Sequence, residues 1–596
     1  HHLGAALLGE RAHERRAAAG DEGSGLALVD EQRLYHDPAK AAMRWREADG
    51  RLALRLHTGR EVEAAWVVLG ASGDRMIPMR SIGASRLYRY WEAHLDGPGE
   101  WGDPDSDQVS YRFAVSVSHA SGLVWVGKDG VGEQAAAVQP WTLGWLDAPL
   151  VEVPAWVAGS VFYQIFPERF ANGDPSNDPP GTVAWDARPT TTNFFGGDLQ
   201  GVIDRAGYLS QLGVTAIWFN PIFDSVSNHK YDTRDYRRID PHLGGLAAFR
   251  RMMAVLDELG IRVVLDGVFN HTGDEFWAFQ DVVRRGPSSP YWDWYDVWRW
   301  PVTRQPVSYR AWSGYADMPE LNHANPEVRR YTFDTVREWM RMGVDGWRLD
   351  VANEVPHDFW REFRRVVKEV DRDAYLVGEI WSSGEAWLRG DQFDAVMNYR
   401  FRDAVLQFIA LRRISPTELD ARLAQIRADY PGPVFWALLN LLGSHDTERF
   451  LTAAGGDVRR LKLAALLQMT YPGAPIIYYG DEVGLRGGRD PDNRRAFPWE
   501  PERQDQELLE WYRKLVALRR GHRVLTEGDV RTLLADDATG VYAYARELQQ
   551  DGVGSVAVVV LNNSDATVEA ALAVPGATPG ETDWVDVLSG EVWTAA

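Results

Sequence analysis

Four short segments place acidic side chains beside other polar groups. They are Asp266-Gly267-Val268-Phe269-Asn270-His271, Gly346-Trp347-Arg348-Leu349-Asp350, Gly378-Glu379-Ile380-Trp381 and Ser444-His445-Asp446. Each lies at the end of a short apolar run of the kind that forms a buried strand. A single carboxylate in such a place is commonly a helix cap or an ion-pair partner. Four gathered in one cleft are costly, because like charges raise one another's pKa and destabilise the fold. Cleavage of a glycosidic bond uses such a grouping: one carboxylate attacks the anomeric carbon or activates water, and another protonates the leaving oxygen. Arg348 would keep a neighbouring Asp ionised, and a nearby acid would raise the pKa of the proton donor.

Composition narrows the alternatives. The 596 residues include no Cys, which removes disulfides, thiolate nucleophiles, Cys-zinc sites and iron–sulfur clusters. There is no phosphate-cradling Gly loop after a strand, no HExxH and no P-loop, so no nucleotide or other organic cofactor is expected. The 64 Lys and Arg stand against 85 Asp and Glu, a formal net charge of −21. Long-range repulsion then opposes an encounter with nucleic acid or an anionic membrane and favours a neutral partner. The 26 Trp and 22 Tyr offer flat apolar faces with a polar handle, suited to stacking on sugar rings and equally to a Trp-rich core.

The acids need a scaffold that brings strand ends together. Eight apolar runs can be picked out: Val161–Phe166, Ala216–Asn220, Arg262–Val268, Gly346–Val351, Tyr375–Ile380, Phe393–Asn398, Ala437–Leu442 and Pro475–Tyr479. Segments of helical spacing, such as Leu246–Leu259 and Glu327–Met342, alternate with them. This pattern predicts an α/β chain built on a (β/α)8 TIM barrel over residues 155–523, with its chemistry at the C-terminal strand ends. A long gap after the third run, residues 271–322, reads as an inserted domain on the catalytic face. Its aromatics Tyr291, Trp292, Trp294, Tyr295, Trp298 and Trp300 are expected to lie along a sugar chain.

Residues 27–154 and 524–596 show short alternating runs between turns, and are expected to form N-terminal and C-terminal β-sandwich domains. The N-terminal one reads as a starch-binding or dimerisation module. Its Trp66, Trp91, Trp101 and Trp125 are candidates for stacking on glucan, with core packing expected for at least half. Residues 1–26 are expected to be poorly ordered. The apolar patch Leu3–Gly9 has no cationic stretch before it, and no apolar run reaches the ~20 residues of a membrane helix, so a cytoplasmic location is expected.

In their order along the chain, these segments resemble the α-amylase superfamily, glycoside hydrolase family 13. Gly213–Pro221 and Gly473–Glu482 add to the match, which spans Val161 to Trp499. The resemblance implies Asp350 as nucleophile, Glu379 as general acid/base and Asp446 as a third acid that holds sugar hydroxyls. It implies substrate contacts from Arg348, His271, His445, Asp266, Asn270, Glu354 and Trp381, with Tyr231 stacking under the sugar in the −1 subsite. The N-terminal β-domain, Gly346–Glu354 and Met318-Pro319-Glu320-Leu321-Asn322 are similar to the neopullulanase, cyclomaltodextrinase and maltogenic amylase group, and maltodextrin glucosidases share the layout. Glu320 departs from that group, which commonly has Lys there. Asp490 and Arg494 match the group's −2 contacts, or form an exposed ion-paired loop.

The activity implied is a retaining α-glucan hydrolase. It would cleave α-1,4 bonds, with α-1,6 capacity or transglycosylation, in maltodextrins, cyclodextrins or pullulan. A glucan transferase or sugar isomerase on the same fold is the enzyme alternative. A noncatalytic glucan-binding barrel should lack at least one of the three acids, and all three are present. The group's N-terminal domain often packs over a partner's active site, which implies a homodimer.

The run Asn172-Gly173-Asp174-Pro175-Ser176-Asn177-Asp178 supplies hard oxygen donors at short spacing, as a Ca²⁺ loop would and as an Asx-turn loop also would. The resemblance favours a structural Ca²⁺ held by Asn172, Asp174, Asn177, Asp178, the Gly196 carbonyl and Asp198.

Overall fold

The structure, a computed structural model, describes residues 25–70, 75–97, 107–118, 122–550, 552–578, 580 and 582–594. Most of the chain start, up to residue 24, lies outside the described residues, as does Trp101. The chain divides into two compact units after Pro149, five residues before the domain boundary read from the sequence at 154.

The second unit contains the barrel. Its strands are β1 (Phe162–Ile165), β2 (Ala216–Phe219), β3 (Arg262–Gly267), β4 (Gly346–Leu349), β5 (Tyr375–Gly378), β6 (Ala395–Val396), β7 (Leu439–Leu441) and β8 (Ala474–Tyr478). All eight predicted runs are therefore strands of one parallel sheet. Its order is β6-β5-β4-β3-β2-β1-β8-β7, and a parallel bridge between Met397 and Leu439 joins the two ends. Every residue of β1, β2, β4 and β5 is buried, as expected for strands covered on both faces.

Register brings the acids to one level. Asp266 on β3 is opposite Arg348 on β4, and Leu349 is opposite Gly378 on β5. The residues that follow this last pair, Asp350 and Glu379, therefore leave adjacent strands side by side. Gly378 is required here, since a Cβ would come within 2.5 Å of the Phe393 ring.

The helices follow local chemistry. Helices α1 (Gly245–Glu258) and α2 (Pro326–Arg341) each fall within one residue of the predicted segments. Asn325 caps α2 by accepting the Glu327 N–H, and Pro326 sits where no backbone donor is needed. Val328, Phe333, Val336, Trp339 and Met340 form its buried stripe.

The insert after β3 holds a helix, Trp277–Arg285, and isolated bridges that include His271–Glu320 and Ala311–Pro319. Its aromatic run differs from expectation. Trp294 and Tyr295 are buried, packed edge-on or tilted against Trp277, Tyr331 and Phe279. They form the core of a segment too small to build one from aliphatic residues alone. Trp298 and Trp300 are exposed.

In the first unit, Arg75–Ala84 pairs with Val62–Leu69 through its first half and with Tyr88–Leu95 through its second. One strand thus serves both layers, and Leu54, Leu56 and Trp91 meet Val67, Phe113 and Val126 in a shared core. Trp91 is buried with its indole N–H on the Thr58 hydroxyl, whereas Trp66 and Trp125 are half-buried. At the C-terminal end, Asp529–Asp536, Val541–Gln550 and Val553–Asn562 form a three-stranded antiparallel sheet. A separate ribbon pairs Asp583–Val585 with Val592–Thr594.

Candidate active site

Arg348 is the hub of the barrel's C-terminal face. It has no solvent exposure, and its Nη1 donates to Asp350 at 2.7 Å and Asp266 at 2.9 Å while Nη2 lies 3.0 Å from Glu379. One guanidinium therefore ties three carboxylates from three adjacent strands. Asp446 stands beyond them, 3.2 Å from His445 Nε2 and 3.5 Å from Arg494 Nη2. Glu379 is further fixed by the Trp381 indole N–H and by the Val351 N–H, both at 3.0 Å. Val351 has φ 45°, a left-handed conformation costly for a β-branched residue, and this strained turn aims its N–H at Glu379.

A hydrogen-bond chain supports this hub. The side-chain amide of Gln164 donates to His445 Nδ1 at 2.9 Å and to Asn220 Oδ1 at 2.8 Å. That assigns His445 the Nε2–H tautomer, which faces the Tyr231 hydroxyl at 2.8 Å. Tyr231 donates in turn to Asp266 at 2.8 Å and accepts from Asn220 at 3.0 Å. The Tyr231 and His445 rings stack 5.4 Å apart and only 4° from parallel, a flat floor beside the acids. His271 Nε2 lies 3.1 Å from the Tyr231 carbonyl and its Nδ1 3.2 Å from Asn270. Burial lowers both imidazoles, His271 to about 4, so both are neutral at pH 7.

Four buried carboxylates share few cations, and the electrostatics follow. Burial, then the Glu379 charge, pushes Asp446 up to about 7. Burial pushes Asp266 up to about 6 against the pull of Arg348. Asp350 is raised by burial and by its acidic neighbours, again against Arg348. Glu379 is buried too, but Arg348, the Val351 N–H and the Trp381 N–H together hold it down. The Glu379 charge opposes ionisation of Asp350, so the two carboxylates titrate as a pair.

The rim residues are more open. Trp381 is 50% exposed and stacks on Tyr399 at 3.7 Å. Glu354 is exposed, and its charge faces both Glu379 and Glu320. Asp490 pairs with Arg494 at 3.1 Å, and Arg494 also donates to the His445 carbonyl. The sequence reading passed over Gln164, Asn220, His229 and Trp312. The first two had a signal, since each is a polar residue within or ending an apolar strand. Trp312, whose ring stacks on His271 with Tyr315 stacked beyond it, lies outside the Tyr291–Trp300 run.

The Asn172 loop is assembled on the same unit. Asn172 Nδ2 donates to Asp178 and Asn177 Nδ2 to Asp198, which leaves Asn172 Oδ1 and Asn177 Oδ1 buried without a hydrogen-bond donor. Gly196, at φ 83°, packs its backbone so closely that a Cβ would lie 2.3 Å from Asp178 Oδ1. Orphaned buried oxygens of this kind fit a hard cation. Asp198 and Asp174 also take backbone donors within the loop. Asp198 accepts the N–H groups of Gly173, Asp174 and Gly201, and Asp174 closes an Asx turn on Ser176. Among the described residues no group of three or more His, Asp or Glu is arranged to hold a metal.

Comparison with known proteins agrees with this geometry. Residues 164–504 match the family model "Alpha amylase, catalytic domain". Neopullulanase 2 of Thermoactinomyces vulgaris is 46% identical over 514 residues, covering 85% of this chain and 86% of that protein. The intracellular maltogenic amylase of Bacillus subtilis (strain 168) is 40% identical over 482 residues, 79% of this chain and 80% of its own length. A solved cyclomaltodextrinase superposes with a TM-score of 0.83 at 40% identity, covering 90% of this chain and 92% of that one.

Proposed function

The chain belongs to the alpha-amylase family, and from that premise we infer that its barrel cleft hydrolyses α-glucosidic bonds with retention of configuration. It is a glycoside hydrolase, similar to proteins named for action on pullulan, cyclomaltodextrins and maltose-yielding glucans. The observation that carries the mechanism is the single Arg348 bound to Asp266, Asp350 and Glu379 at once.

In the first step Asp350 attacks the anomeric carbon while Glu379 gives its proton to the departing glycosidic oxygen. The C–O bond to the leaving sugar breaks as the Asp350 ester forms. Positive charge developing on the ring favours ionised Asp350 and Asp446, so substrate draws the shared proton toward Glu379. In the second step Glu379 takes a proton from water, whose oxygen displaces Asp350. Asp446, His445 and His271 hold ring hydroxyls, and the Tyr231 face supports the sugar. Product analysis on maltotriose, cyclodextrin, pullulan and starch tests the reading. Reducing-end release with retained α configuration supports it, and inverted products overturn it.

A second outcome of the same intermediate is transfer to a sugar hydroxyl in place of water. The exposed Trp381 ring beside Glu379 supports it, because it offers an acceptor sugar a stacking face. Products longer than the maltotriose supplied would show it.

The Asn172 loop is proposed to hold a structural Ca²⁺ through Asn172, Asn177, Asp178 and the Gly196 carbonyl, with Asp174 and Asp198 shaping the loop. When bound, the ion would neutralise Asp178 and satisfy the two orphaned amide oxygens. A chelator should lower the melting temperature and Ca²⁺ restore it, with Mg²⁺ much less effective. The enzyme is proposed to be a cytoplasmic homodimer. The intracellular relative supports the location, and the dimer is what the resemblance read from the sequence implies. A monomeric mass by light scattering would remove the dimer, and cell fractionation tests the location. No helix among the described residues is long and apolar enough to cross a membrane.

A further inference from the structure

A second pocket opens on the barrel unit, between the chain that follows β1 and the chain that follows β8. Its volume is about 470 Å³, within the ~300–1,000 Å³ of small-molecule sites. None of the residues placed in the cleft lines it, and the mechanism above does not use it. Trp185 forms one wall. Its half-buried ring is held by the indole N–H, which donates to the Phe497 carbonyl at 2.8 Å, and by the Phe195 ring packed edge-on at 6.3 Å. Buried Pro498 adds apolar surface. Three arginines, Arg188, Arg495 and Arg503, line the same space with a single carboxylate, Asp186. Among the described residues Arg188 makes no ion pair, and its side chain is exposed. Arg495 grips Asp492 through Nε at 3.0 Å and Nη2 at 2.8 Å, which leaves its Nη1 unbonded. Arg503 stands 3.7 Å from Glu500, an exposed pair worth little. Against burial, the Gly488 N–H, Arg495 and the Arg188 charge hold Asp492 below the usual carboxylate range, so Arg188 and Arg495 act on one spot. The chain carries a net charge of −21, yet this pocket is locally cationic. At 0.15 M salt a charge is felt over only about 8 Å, so the three arginines set the potential inside it.

We propose that this pocket binds a hexose phosphate, with the phosphate among Arg188, Arg495 and Arg503 and the sugar ring against Trp185. Guanidinium forks match phosphate oxygens in geometry as well as charge. The Trp185 ring and Pro498 suit the apolar C–H face of a hexose. Asp186 accepts from a sugar hydroxyl, which anchors the ring and disfavours a bare anion. A neutral glucan gains no charge-assisted bond from the arginines, so charge separates this ligand from the substrate of the cleft. The assignment does not depend on what the cleft cleaves.

Titration calorimetry on the full chain tests this, with glucose 6-phosphate and inorganic phosphate as probes. Glucose 6-phosphate should bind at least about fivefold more tightly than inorganic phosphate, the gain from one hydroxyl bond and the ring contact. Arg188→Gln and Arg503→Gln should each weaken glucose 6-phosphate by about fivefold, one partly exposed charge-assisted bond, and leave kcat/KM for maltotriose unchanged. Asp186→Ala should lower the ratio of the two affinities by about threefold or more, because it removes the sugar's acceptor and relieves repulsion of the bare anion. Equal affinity for both probes would overturn the proposal, as would glucose 6-phosphate binding that ignores Arg188→Gln and Arg503→Gln. Competitive inhibition of maltotriose cleavage by glucose 6-phosphate would place it in the cleft and also overturn the assignment.

Discussion

At the scale of residues, the site is a contest for protons and donors around Arg348. Asp350→Asn removes the nucleophile and should lower kcat by on the order of 10⁴–10⁶-fold with little change in folding, checked by steady-state rates and thermal melting. Glu379→Gln should lose far more on maltotriose than on an aryl glycoside, whose leaving group needs no proton. Gln164 acts at one remove. Gln164→Leu takes the donor from His445 Nδ1, frees the ring to adopt the other tautomer and disturbs the Tyr231–Asp266 link. A loss of about 10–100-fold in kcat with a displaced pH profile is expected, whereas a purely structural role would lower the melting temperature and leave the profile in place. The acids were legible in the sequence because carboxylates ending apolar strands are chemically expensive and stand out. Gln164 and Asn220 were not singled out, since their value lies in partners 281 and 11 residues away. Their place in apolar strands marks them as unusual, but local spacing does not say what they contact.

At the scale of elements, β8 leads into Asp481 and Glu482, two carboxylates buried beneath the site rather than in it. Glu482 accepts the hydroxyls of Tyr163 and Tyr208 at 2.7 Å and the Gly480 N–H at 3.0 Å, with no cation bonded to it. Burial raises it to about 7, above the ordinary value for Glu. Between that ordinary value and about 7 the folded state binds the extra proton, so stability falls as pH rises through this window. Glu482→Gln can keep the three bonds, its carbonyl on Gly480 and its amide on the tyrosine hydroxyls, without ionising. Calorimetry at pH 5 and pH 8 should show the variant gaining on wild type as pH rises, and a difference constant across that range would refute the assignment. Element types were readable where period and length agreed, as in the eight barrel strands and α2. The Tyr291–Trp300 run was misread at Trp294 and Tyr295, because density of aromatics does not say which way each one faces. Trp294 and Tyr295 turn inward because the insert needs its own core, while the rings that stack outward from His271, Trp312 and Tyr315, come from a turn farther on.

At the scale of the whole molecule, the net charge of −21 acts on the encounter and not on the chemistry. A neutral oligosaccharide feels no net force from that field, so ionic strength has nothing to screen on its approach. The contacts that matter once it is bound are also protected, since Arg348 and Asp266 have no solvent exposure. Raising NaCl from 20 to 500 mM should therefore change kcat/KM for maltotriose by less than about twofold. A carboxylated maltooligosaccharide of the same length should behave differently. It is repelled at low salt, and its kcat/KM should rise severalfold as the Debye length shrinks from roughly 20 Å to about 4 Å. The comparison isolates long-range charge from site chemistry, because both substrates meet the same acids. A large salt effect on the neutral sugar would mean that exposed ion pairs at the rim, such as Asp490 with Arg494, control the rate and that the buried cluster is not the determining feature.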